Sequence, residues 1–151
     1  EYYIMNLDDV LSEWTIDSEI NEMALDDASR DSAKLHSKYL SKYMTAKLHL
    51  KSKEQSLQSL LKLKWLYYNG KMTAEQIEAE GWEYDPFHGM KVLKGDMDYY
   101  YNADEDIQKV TMQIEYRKAL VDTLKEIMSN IQWRHQNIGN MIKWRQFVSG
   151  A

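Results

Sequence analysis

The chain has 151 residues, 44% of them apolar, a net charge of −5 and no cysteine. That is one domain's length with enough apolar content for a core, and it excludes disulfides, thiol catalysis and cysteine-based zinc sites. No stretch approaches the roughly 18 apolar residues of a membrane span, and the acidic start Glu1 to Asp9 is unlike a secretory signal, so a soluble, cytoplasmic protein is expected.

Glycine and proline divide the chain. Residues 1–69 and 96–138 contain neither, whereas Gly70, Gly81, Pro86, Gly89 and Gly95 cluster between them. Since these residues are the strongest punctuation in a sequence, the spacing predicts an all-α fold. Two long helices form a hairpin, with a short helix and an irregular loop between them, in a single helical domain over residues 1–151.

The first long helix is expected to begin near Asp17 or Ser18, either of which can cap free backbone N–H groups, and to end at Asn69-Gly70. At about 100° per residue, Leu35, Tyr39, Tyr43, Leu50, Leu57, Leu61 and Tyr68 fall within about 80° of one another and form the buried stripe. Leu40, Met44, Leu48 and Leu66 lie on a second side, more apolar surface than one hairpin partner covers, which points to another subunit. Charge is segregated along the same helix. Residues 32–73 carry nine lysines and one acid, a net +8, against −9 for residues 1–31, −8 for 74–106 and +4 for 107–151. Nucleic-acid affinity follows local clusters of Lys and Arg rather than the isoelectric point, so the acidic total does not exclude a polyanion partner.

Lys62-Leu63-Lys64-Trp65-Leu66-Tyr67-Tyr68-Asn69-Gly70 is the sharpest local feature. Single-stranded nucleic acid needs cations for its phosphates and flat rings for its unstacked bases, and this run supplies both within two helical turns. Lys62, Lys64, Trp65 and Tyr67 are therefore candidate DNA-binding residues, with Lys62 and Lys64 read as standing off the buried stripe. Lys34, Lys38 and Lys42 form a four-spaced row that extends the track. The plainer alternative makes Leu63, Leu66 and Tyr68 core and the lysines a solvated face.

Thr73-Ala74-Glu75-Gln76 has the form of a capping box, predicting a short helix to about Glu80 that stops at Gly81. Residues 82–101 read as aromatic and acidic loop, with a short strand around Met90 to Leu93. The last helix is expected near Asn102 or Asp104, its acids Asp104, Glu105 and Asp106 favourably placed at the positive end of the helix dipole. Its heptad runs through Ile107, Ile114, Val121, Met128, His135 and Ile142 at one position, and Val110, Arg117, Leu124, Ile131, Ile138 and Arg145 at the other. Val121, Met128, Ile131, His135, Ile138, Ile142 and Trp144 are the candidate oligomerisation residues, Arg117 and His135 being polar members that set register or face a subunit boundary. For the basic-aromatic cluster Trp133-Arg134-His135 and Lys143-Trp144-Arg145, assembly is favoured over nucleic-acid contact because the heptad runs through it.

His36, His49, His88 and His135 lack the helical spacing of a metal site, and Asp96, Asp98 and Asp104 to Asp106 lack the glycine and final glutamate of a calcium loop. With no phosphate-binding loop and no nucleophile motif, the expectation is a non-enzyme with no cofactor and no metal.

These residues resemble the UvsY family, recombination mediators of T-even-like bacteriophages, from about Thr15 to Gly150. The most specific match is Lys62-x-Lys64-x-x-Tyr67-Tyr68-x-Gly70. Ile16-Asp17-Ser18, the run Ser37 to Lys42, Ala103 to Asp106 with Lys109-Val110, and Arg145-Gln146-Phe147 with Gly150 support it in the same order. The resemblance implies a ring-like homo-oligomer, hexamer or heptamer, that binds and reorganises single-stranded DNA. It also implies that the protein helps load a RecA-like phage recombinase onto strands covered by the phage single-strand-binding protein, in the cytoplasm of the infected host. The family's basic motif, which contributes to DNA binding, falls on Lys62 and Lys64, and its C-terminal helix carries much of the assembly. Lys64 stands where the family can have Arg, leaving a point charge in place of a planar fork. A structural or scaffolding coiled-coil protein without nucleic acid is the rival reading.

Overall fold

The computed structural model describes residues 5–150, and among these every regular element is helical. The elements are α1 (Leu7–Asp17), α2 (Leu25–Tyr68), α3 (Ala74–Glu80), a 3-10 turn (Lys94–Asp96), α4 (Met97–Ala103) and α5 (Glu105–Val148). The expected all-α class with two long helices is what the chain adopts; residues 1–4 and 151 lie outside the described residues. Two compact units divide it, residues 1–50 with 116–151 and residues 51–115.

In the first unit the N-terminal part of α2 lies against the C-terminal part of α5, and α1 packs on both. The start expected at Asp17 or Ser18 is instead the end of α1, whose Asn6 cap accepts a bond from the Asp8 amide at 2.8 Å. Where the chain leaves the helix, Arg134 takes up carbonyls at and just beyond its end. Its guanidinium donates to Asp17 O at 3.4 Å, Ser18 O at 3.1 Å and Glu19 O at 3.2 Å. Burial holds the Arg134 pKa below its usual value, against the opposing pull of Asp31 and Asp17.

Val10, Tyr39, Ala46, Leu120, Leu124, Ile127 and Ile131 form this unit's core, with Leu35, Tyr43, Val121 and Met128 packed around it. Trp14 meets Tyr39 edge-on, ring centroids 5.4 Å apart. The expected heptad is half right. Arg117, Leu124, Ile131 and Ile138 are buried, but their companions are Leu120, Ile127 and Arg134 rather than Val121, Met128 and His135. The cause is α1, a third helix that draws the opposite flank of α5 inward, through Val10 in the shared core and through Arg134 on its terminus.

The second unit holds the end of α2, the elements from α3 to α4 and the start of α5. Helix α2 stops at Tyr68, with Gly70 at φ +67° taking the left-handed turn that favours glycine. The capping box is present as expected, the Thr73 hydroxyl accepting from the Gln76 amide and the Gln76 side chain from the Thr73 amide, and Gly81 at φ +74° closes α3. No strand forms at Met90 to Leu93, and the expected loop ends early, because residues 97–103 fold as α4. Tyr100 and Tyr101 of α4 pack on Tyr68 at 5.8 and 6.5 Å, so tertiary aromatic contact supports a helix too short to persist alone.

Candidate nucleic-acid interface

The end of α2 presents two unlike faces. On the inner face Lys64 is enclosed, its side chain only 5% exposed, with its ammonium 2.9 Å from Asp104 and 2.8 Å from Asp106. The same ammonium sits 3.8 Å from the Trp82 ring centroid. Asp104 is the hub of this cluster. One oxygen accepts from the Ile107 amide at 3.0 Å and so caps α5, and the other accepts from the Tyr68 hydroxyl at 2.5 Å and from Lys64. Burial alone would raise the Asp104 pKa, but the Tyr68 hydroxyl, the Ile107 amide and Lys64 together hold it below the usual carboxylate value. Tyr67 also turns inward, donating to Glu83 O at 2.5 Å and packing on Trp82 at 5.0 Å. Its hydroxyl pKa is pushed up by burial and by the Glu83 and Asp104 charges.

The expectation that Lys64 stands off the buried stripe is therefore corrected. It lies seven residues beyond Leu57 on the same face, and its charge is met by two carboxylates rather than by solvent. Lys62, Trp65 and Lys71 are the outward members of this stretch, with the Lys71 ammonium 4.4 Å from the Trp65 ring centroid and Trp65 41% exposed. Among the described residues Lys62 makes no ion pair. Lys51, Gln55 and Gln58 continue this outward face toward the middle of α2 and are exposed. Their spacing with Lys62 and Trp65 was in the sequence; reading the lysines in contiguous blocks rather than by face hid it.

The four-spaced row in the first unit is divided too. Lys34 is exposed, but Lys38 bridges Glu13 at 2.7 Å and Asp17 at 2.6 Å, and Lys42 meets Glu13 at 3.3 Å. Two of its three charges thus bind α1 to α2. Burial alone would lower the Lys38 pKa, yet Asp17 and Glu13 raise it; Asp17 also accepts the Tyr39 hydroxyl at 2.8 Å.

The candidate oligomerisation residues separate in the same way. Ile131 and Ile138 belong to the chain's own core, Val121 and Met128 pack half-buried against it, and His135, Ile142 and Trp144 are exposed. Trp144 stacks on Phe147 with centroids 5.7 Å apart, both rings in solvent. Among the described residues no group of His, Asp and Glu is placed to hold a metal, and no helix is long and apolar enough to cross a membrane.

Residues 13–151 match the family described as recombination, repair and ssDNA binding protein UvsY. Crystal structures of the bacteriophage T4 recombination mediator protein UvsY are similar in fold. One superimposes with a TM-score of 0.80 at 24% identity, covering 97% of this chain and 99% of that one. Another lattice gives 0.77 at 24% identity over 95% and 98%, and a third 0.71 at 21% over 96% and 99%. No curated protein sequence matches.

Proposed function

The chain belongs to the UvsY family of recombination, repair and ssDNA binding proteins, and we propose that it is a recombination mediator that binds and reorganises single-stranded DNA. In this reading it assembles as a ring-like homo-oligomer, hexameric or heptameric, and helps load a RecA-like recombinase onto strands covered by the phage single-strand-binding protein, in the infected host's cytoplasm. The observation that carries it is the outward pairing of Lys62 and Trp65, a phosphate-seeking cation beside an exposed ring. Lys64, Tyr67, Lys38 and Lys42 serve this site only indirectly, since their polar groups already hold partners inside the chain.

The mechanism is physical rather than chemical. Modest contacts repeated around a ring gain avidity without a deep pocket in any subunit, and the altered path of the strand changes which protein can occupy it. Salt titration of oligonucleotide binding by fluorescence anisotropy tests the reading. Affinity should fall with a log-log slope of about −0.7 per phosphate neutralised, and a constant independent of salt would leave the scaffold reading in its place. For assembly, Trp144→Asp should lower the mass seen by sedimentation, because it sets a charge among the exposed rings of the C-terminal helix. For loading, recombinase filaments should form faster on covered strands when the protein is present.

A further inference from the structure

We propose that the strand-binding surface is a single outward track on α2 made by Lys51, Gln55, Gln58, Lys62 and Trp65 and completed by Lys71, with Trp65 as a platform for one unstacked base. The inference rests on the single-stranded DNA reading above and assigns the residues that would carry it. On a helix of about 100° per residue these five α2 positions fall within about 80° of one another, centred about 120° round from the buried stripe. All are exposed, and all lie in one compact unit together with Lys71.

Each member has the chemistry that a single strand needs. Lys51 and Lys62 flank the track as cations that bind no acid among the described residues. Gln55 and Gln58 stand between them with both donors and acceptors, able to bond phosphate oxygens or base edges without selecting a sequence. At the far end Trp65 remains 41% exposed. Every base offers a π-face, so an exposed indole next to cations can stack on an unpaired one whatever its sequence. The Lys71 ammonium lies over that ring, 4.4 Å from its centroid, so a base stacking on the same face would displace it toward the nucleotide's own phosphate. The Lys71 backbone is fixed by its amide bond to Leu66 O at 2.8 Å, which sets the flexible side chain next to Trp65. Lys64 is absent from the track, being turned the other way onto two carboxylates.

The test uses the full chain, oligothymidylate and an abasic oligonucleotide of equal length. Lys51→Ala and Lys71→Ala should each reduce the salt slope by about 0.7 with unchanged helical content and melting. Trp65→Ala should weaken oligothymidylate binding about tenfold, leave abasic binding unchanged, and be rescued in large part by Trp65→Phe. If wild-type protein binds the oligonucleotide with a steep salt slope while all three variants keep wild-type slope and affinity, the track is wrong and the single-stranded DNA reading survives. If wild-type protein does not bind, both fall. An equal loss on abasic and oligothymidylate strands for Trp65→Ala would overturn the platform.

Discussion

Lys38 and Lys64 stand on the same helix and each bridges two carboxylates, yet they differ in solvent. The Lys38 side chain is 36% exposed and its partners Glu13 and Asp17 are 40% and 21% exposed. The Lys64 side chain is 5% exposed, and Asp104 beside it 4%. Water screens the first triad and leaves it about 0–1 kcal/mol per pair. In the second, Lys64 and Asp104 are enclosed although Asp106 is half exposed, so the loss of Lys64 leaves the buried Asp104 charge without its cation. A lysine count cannot distinguish a clasp from a binding surface; the fraction of each ammonium left in water can.

The sharpest break in this comparison is Lys64→Ala. It strands Asp104 in the second unit and should cost about 3–5 kcal/mol in urea unfolding. Tyr68→Phe is next, because it removes a hydroxyl donor to the same ionised carboxylate, an expected loss of about 1.5–3 kcal/mol. Lys38→Ala should cost less than either, about 1 kcal/mol or below, since Glu13 and Asp17 can turn to water. An equal cost for Lys38 and Lys64 would erase the distinction between the two triads.

Acid sharpens the same contrast. The Asp104 pKa is lowered from a reference value of 3.8, so the unfolded chain takes up the proton first. Its stabilisation is fully present above about pH 4 and is lost as pH falls through the folded value. Amide protection factors in residues 97–115, measured against the intrinsic exchange rate at each pH, should therefore fall as the solution is acidified below pH 4. In Lys64→Ala one cause of the lowered pKa is gone, so the remaining stabilisation is smaller and its loss is complete at a higher pH than in the wild type. The smallest expected effect is that of Lys62→Ala, which should leave the melting curve unchanged while weakening oligonucleotide binding.

Part of this was legible in the sequence. Thr73 to Gln76 and Gly70 carry local signals, a side-chain cap and a left-handed turn, that need no tertiary partner, and they appear where expected. Lys64 was equally legible by spacing, falling on the stripe of Leu57 and Leu61, but its charge argued for solvent; Asp104 and Asp106, distant in sequence, make its burial tolerable. Helix α4 was hidden because its stability comes from Tyr68 and Phe87 against Tyr100 rather than from its own residues. The displaced row of α5 was hidden for a related reason. A heptad read on one helix cannot show that α1 arrives on its flank and gives Arg134 the carbonyls of residues 17–19.

The Arg134 cap also bears on the order of folding. The second unit is one continuous stretch, residues 51–115, and its bonds join residues at most 60 apart, as between Lys53 and Gln113. The first unit is assembled from both ends of the chain, with bonds such as Arg134 to Asp17 spanning 117 residues. Closing a longer loop costs more entropy before any contact rewards it, and native contacts distant in sequence slow folding. During synthesis the second unit's residues are all available while the arginine that ends α1 is still unmade. Helix α1 is thus expected to wait, its terminal carbonyls in water, until the last third of the chain emerges and fixes it in place.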